Sequence, residues 1–152
     1  MAGIEYRLTI RDAPMTGALK TLIRKTSDLR PFLKSVGEGE MNLIKDRFAG
    51  EHDPDGTPWQ KLHPKTVARR AAKGYLPIKI LRMRGNLAGS IAYRVESRRV
   101  RWGSPLVYAA IHQEGGMAGR GHAASIPPRP YLGFGDESWR MIEETAEDYL
   151  AL

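Results

Sequence analysis

From Leu29 to Phe48 one set of residues recurs at helical spacing, namely Leu29, Phe32, Leu33, Val36, Glu40, Leu43, Ile44 and Phe48, a period that no strand accommodates. The stretch predicts a long helix, with Gly37 and Gly39 as the site of a bend. Ahead of it Asp12-Ala13-Pro14 reads as a helix start, and Met15, Leu19, Leu22 and Ile23 continue as the apolar face of a shorter helix. Ile4 to Ile10 alternates instead. Ile4, Tyr6, Leu8 and Ile10 share one face, which predicts a half-buried opening strand.

Beyond Phe48 the periodicity stops. Ala49 to Pro64 is an ordered, irregular loop, and Asp53-Pro54-Asp55-Gly56 within it is turn chemistry: proline presets one backbone angle and glycine supplies a positive one. A short basic helix from Lys65 to Lys73, closed by Gly74, leads through a connection from Pro77 to Arg84. Ile91, Tyr93 and Val95 then alternate with polar neighbours, as do Val100 and Trp102, which predicts a hairpin turning at Glu96 to Arg99. Val107 to Gln113 reads as a helical turn or two, and Gly115 to Ser125 as a mobile loop. The prolines of Ile126 to Leu132 forbid a helix interior and leave an edge strand or an extended strap. A last helix carries Trp139, Ile142, Ala146, Tyr149 and Leu150 on one stripe, with Asp136 and Glu137 at the positive end of its dipole. The expected fold class is α+β, a small antiparallel β-sheet flanked by helices in a single domain over residues 1–152.

With 152 residues, 41% of them hydrophobic, such a chain buries roughly two-thirds of its unfolded surface around one core. No apolar run approaches the roughly 20 residues that cross a bilayer, and the first residues lack a charged segment followed by an apolar one. Neither a membrane span nor a signal peptide is therefore expected. The absence of cysteine excludes disulfides, thiolate catalysis and cysteine-containing zinc sites. The net charge of +7 is unevenly spread: Lys61 to Arg101 holds twelve Lys or Arg and one acid, Glu96, whereas Asp136 to Asp148 holds six acids and only Arg140. A molecule divided in this way can join its own copies head to tail or face two different partners.

Candidate chemistry is sparse. Asp53 and Asp55, near Glu51 and His52, have the oxygen ligands calcium needs, but Leu62 stands where a calcium loop would need its glutamate, so both aspartates read as turn formers. The histidines His52, His63, His112 and His122 form no metal-binding pair. His112 lies in an apolar turn and reads as an imidazole satisfied by a backbone group, ahead of a general base. There is no nucleophile elbow, and Gly119-Arg120-Gly121 is no phosphate loop, so neither a cofactor nor a hydrolytic centre is expected. Lys65, Arg69, Arg70, Lys73, Lys79, Arg82 and Arg84 could neutralise DNA phosphates without reading sequence, or could form a solvated face.

Four segments in order carry a resemblance. They are Phe48 with Asp53-Pro54-Asp55-Gly56-x-x-Trp59-x-x-Leu62-x-x-x-Thr66, and Ile80-Leu81-x-x-x-Gly85-x-Leu87-x-x-Ser90-Ile91. Then come Val100-x-Trp102-Gly103-x-x-x-x-Tyr108-Ala109-x-Ile111-His112-Gln113-x-Gly115-Gly116 and Ile126-Pro127-x-Arg129-Pro130-Tyr131-Leu132-Gly133. From about Phe48 to the last helix the chain resembles the phage virion morphogenesis family, the tail-completion proteins of Mu-like and related contractile-tailed phages. Trp102 before Gly103 and Arg120-Gly121-His122 in a variable loop depart from the pattern.

The resemblance implies a structural component of the virion, made in the bacterial host cytoplasm and acting at the head-proximal end of the tail in head-tail joining. It implies no catalytic residue, cofactor or metal. Its partners would be other neck and tail proteins, such as the tail terminator and the head-tail connector, and further copies of itself in a hexameric ring around the DNA path. In this reading Trp59 anchors the turn-rich loop to the core or to a neighbour, and Gly85-Asn86-Leu87 turns the chain into the first hairpin strand. Tyr108, His112 and Gln113 place polar tips on an apolar turn. Pro127, Arg129 and Pro130 form a rigid strap whose Arg fork meets a carboxylate or a carbonyl. Glu143, Glu144 and Glu147 are the acidic patch that would meet the basic segment of a neighbour.

Overall fold

One long helix organises the fold. The computed structural model describes residues 13–151, so the strand expected at Ile4 to Ile10 lies outside the described residues. Helix α1 spans Ala13–Ser27 and α2 spans Arg30–Gly50. Pro31 starts α2, where its missing N–H costs nothing, and Glu51 ends it in the left-handed region at φ 58°. The final helix α6, Asp136–Leu150, and a hairpin both pack on α2.

The helix runs unbroken through Gly37 and Gly39, and what these glycines provide is close approach. A Cβ on Gly37 would collide with the Tyr93 ring of the hairpin, and one on Gly39 would stand 2.5 Å from the Met141 sulfur of α6. The hairpin is the expected one. Strands β1, Ala92–Val95, and β2, Val100–Gly103, pair antiparallel from Ala92 opposite Gly103 to Val95 opposite Val100, and Glu96 N–H donates to the Arg99 carbonyl at 2.8 Å to close the turn.

Between α2 and this hairpin lie α3, Pro64–Ala72, and the short α4, Asn86–Ser90. The latter corrects the expectation that Gly85 to Leu87 turns directly into a strand: Gly85, at φ 77°, opens a helical turn before β1 begins. After α5, Ala109–Glu114, the expected mobile loop at Gly115 to Ser125 is instead a second hairpin. Its strands β3, Gly116–Ala118, and β4, Ala124–Ile126, pair antiparallel across a 3-10 turn at Arg120–His122. Strands of three residues are too short to show alternation, and the glycines that read as loop supply the positive φ at Gly119 and Gly121 that turns the hairpin. The architecture is α+β, with helices around two small antiparallel sheets.

The core gathers Ile44 and Phe48 of α2 with Trp59, Ile80, Leu87, Ile91, Ala109 and Tyr131. Phe48 sits between Trp59, edge-on at 5.5 Å, and Tyr131, tilted at 5.2 Å. Two expected faces need correction. On α1, Leu19 and Ile23 are exposed; on α6, Trp139 is 55% exposed and Leu150 is also outside. The inward position on α6 belongs to Ser138, because the Arg47 guanidinium already fills the space there and donates to the Ser138 hydroxyl at 2.9 Å. Trp139 lies on Phe134 at 5.5 Å, and Phe134 meets Trp102 edge-on at 5.6 Å, so the three rings line the outside of the core.

Candidate functional site

The prolines between Pro127 and Pro130 keep the chain extended after β4, so the strap has no regular partner strand and its polar groups must be satisfied by side chains. Gln113 of α5 does this almost as a strand would: its amide oxygen accepts from Tyr131 N–H and Leu132 N–H, both at 3.0 Å, and its amide nitrogen donates to the Leu132 carbonyl at 2.8 Å. The Arg129 N–H donates to the His112 carbonyl at 2.8 Å, and the Tyr131 hydroxyl to the Ala109 carbonyl at 2.9 Å. Tail to head, one helical turn therefore holds four consecutive strap residues, counting Pro130 between them.

From the other side the turn-rich loop grips the same strap. Trp59 Nε1 donates to the Pro130 carbonyl at 2.8 Å. The Arg129 fork meets carbonyls, not a carboxylate: Nε donates to Gln60 at 2.9 Å and a terminal nitrogen reaches the Lys61 carbonyl at 3.4 Å. The loop itself is held by Asp53, whose Oδ1 accepts from Asp55 N–H and Thr57 N–H at 2.9 Å each, the turn-forming role expected of it. Pro54 abuts the start of α6, where a Cβ on Gly135 would overlap the Pro54 carbonyl. Among the described residues no three His, Asp or Glu side chains are gathered as a metal ion would need.

The remaining motif residues surround this joint or stand apart from it. Leu62 and Leu87 join the core, and Thr66 stands on the first turn of α3. Gly115, at φ 76°, lets the chain pass beside Pro128. Ser90 donates to the Leu87 carbonyl and shares a hydrogen bond with Ser104, both at 2.7 Å, just beyond Gly103 at the hairpin base. Glu143, Glu144 and Glu147 lie exposed on α6. Two polar anchors escaped the motifs: Glu51, whose carboxylate accepts Ile80 N–H at 2.8 Å, and the buried Glu40–Arg47 pair on α2. The signal for the pair was available, since Glu40 recurs inside the apolar stripe and Arg47 stands seven residues, two turns, further along the same face.

Beside the strap opens a pocket of about 290 Å3. Leu62, Leu81, Met83 and Leu87 form its apolar wall, and Arg70, Arg84 and Arg129 line it together with Tyr108 and His112. No carboxylate lines it. His112 corrects the expectation of a satisfied imidazole: its Nδ1 is buried without a partner, and the backbone link it was expected to make is made by its own carbonyl to Arg129. Burial pushes the His112 pKa down, and the nearby positive charges of Arg129 and Arg70 push it further the same way. Burial likewise lowers Arg70, with Arg69 adding to it, and lowers Arg129, with Arg70 adding to it. The cations of this pocket thus repel one another with no negative charge between them. Arg70 donates to the Lys79 carbonyl at 2.8 Å and Arg84 to the Tyr75 hydroxyl at 2.8 Å, both neutral acceptors.

Residues 10–151 match the model of the phage virion morphogenesis family. The chain belongs to that family. It is 30% identical to the Mu-like prophage FluMu G protein 2 of Haemophilus influenzae over 91% of this chain and 90% of that one. It is 41% identical to a protein of Escherichia phage Mu, provisionally named capsid assembly protein G, over 97 residues, or 61% of either chain. No solved structure matches it. A role in phage virion assembly follows from the family.

Proposed function

We propose that the chain is a tail-completion protein, a non-enzymatic subunit that acts at the head-proximal end of the tail, joins tail to head, and forms a ring with its own copies around the DNA path. The observation that carries this reading is the family match across nearly the whole chain, combined with a charge division that gives one subunit two unlike faces. A closed ring needs two unlike patches on each subunit, because each must offer its neighbour a patch different from the one it receives, and the charge division supplies such a pair. The partners beyond the ring are neck and tail proteins such as the terminator and connector. Positive charge left over from Lys61 to Arg101 faces DNA in the lumen or an acidic neck protein.

The name of the Mu relative supports a second reading, in which the protein acts on the capsid. Electron microscopy of a lysate from phage lacking this gene separates the two. Filled heads lying beside finished but unjoined tails support tail completion; absent or misshapen heads support the capsid role and refute ours.

A further inference from the structure

The cationic pocket and the outer face of α6 complement each other in charge, and each pairs that charge with apolar surface. The pocket presents an apolar wall and three guanidinium groups, and no carboxylate pairs with Arg70, Arg84 or Arg129 among the described residues. Its volume lies at the small end for binding cavities, which start at roughly 300 Å3, so it has room for one large side chain. A DNA phosphate would neutralise the charge but leave Leu81, Met83 and Tyr108 facing water. The group that satisfies both walls is an apolar side chain flanked by carboxylates.

The outer face of α6 presents such a group. Asp136, Trp139, Glu143 and Glu147 follow one another at spacings of three and four along one side of the helix, all exposed, with the indole between the acids. None of these carboxylates has an ion-pair partner among the described residues. The pocket and this face share no residue, so one subunit can use both at once, as head-to-tail contact requires.

We propose that the pocket receives Trp139 of a second copy of this chain, with Asp136, Glu143 and Glu147 of that copy meeting Arg70 and Arg84 at the rim. This rests on the ring reading above and names its contact. The indole would lie among Leu81, Met83 and Tyr108, with guanidinium groups close to its face.

The test replaces Trp139 by the photo-reactive aromatic p-benzoylphenylalanine in phage particles and in concentrated purified protein, with labelled and unlabelled copies mixed. Mass spectrometry then locates the cross-links. Cross-links from position 139 to Met83 or Tyr108 of another copy are expected, and Trp139→Ala should weaken self-association by about 30-fold or more with the circular dichroism unchanged. Particles holding several copies in which position 139 links elsewhere, or only to DNA, overturn this contact and leave the ring standing. Particles holding one copy overturn the ring and this contact together.

Discussion

Arg47 and Glu40 meet at 2.8 Å across two turns of α2, with side chains 3% and 2% exposed, and the same guanidinium also holds the Tyr131 carbonyl at 3.1 Å and the Ser138 hydroxyl. The pair therefore ties α2 to both the strap and α6. Removing one partner strands a charge inside the core, so Glu40→Ala should lower stability by about 3–5 kcal/mol. The double variant Glu40→Leu, Arg47→Met should cost less than the sum of the single changes, because no charge is left alone. Urea unfolding of Glu40→Ala, of the double variant and of its two single changes measures this. A Glu40→Ala loss within about 0.5 kcal/mol would show that water reaches the pair.

Trp59 fills the core against Phe48 and donates to the Pro130 carbonyl. Trp59→Ala should cost about 3–5 kcal/mol. Trp59→Phe keeps most of the ring contact and loses the hydrogen bond, so its cost should be smaller by at least about 1 kcal/mol. Equal melting temperatures for wild type and Trp59→Ala would contradict the account of the joint.

His112 makes a pH prediction whose sign follows from its depressed pKa. The folded state holds the imidazole below its ordinary value of 6.5, so on acidification the unfolded chain binds the proton first. The contribution is fully present above pH 6.5 and is lost as pH falls from there through the folded pKa. The melting temperature should drop between neutral pH and pH about 5 more for wild type than for His112→Asn, which does not titrate. Parallel pH profiles for the two proteins would refute it.

Much of this was legible in the sequence, and what was missed has physical causes. The long helix, the basic helix, the first hairpin with its turn and the final helix all announce themselves by period or by turn residues. Asp53 as turn former follows from residue type in context, whereas the sequence left Trp59 between the core and a neighbour and the Arg129 fork between a carboxylate and a carbonyl, and folding decides for the core and for carbonyls. Gln113 was visible as a polar tip, but not as the surrogate strand it forms, since its partners Tyr131 and Leu132 lie 18 and 19 residues away in sequence. The second hairpin has strands of three residues, too short to leave a side-chain pattern. A ring as large and apolar as Trp139 normally wins the buried position; here Ser138 wins because the Arg47 network needs a hydroxyl. The cationic pocket was hidden for a related reason: Arg70, Arg84, His112 and Arg129 come from separate segments, and only folding brings them to one cavity.

The acidic face offers an assembly prediction. Changing Glu143, Glu144 and Glu147 together to lysine should leave the fold intact, since all three side chains are exposed, yet yield tails that fail to join heads. Charge steering between exposed groups is screened within about 8 Å at physiological salt, so association of the wild-type protein should weaken as salt rises. Joining-competent particles from the triple variant, with association independent of salt, would show these charges to be a solvated face.

The most direct measurement is complementation in vitro. A lysate of phage lacking this gene is mixed with the purified wild-type protein, and infectious particles are counted before and after. A tail-completion protein acts on finished parts, so the account predicts that infectivity rises steeply, with micrographs showing the pre-existing heads and tails now joined. If infectivity stays at the background level while addition of separately purified wild-type tails restores it, the protein has acted earlier, during tail building. If only added wild-type heads restore it, the protein belongs to the capsid, and the central claim fails.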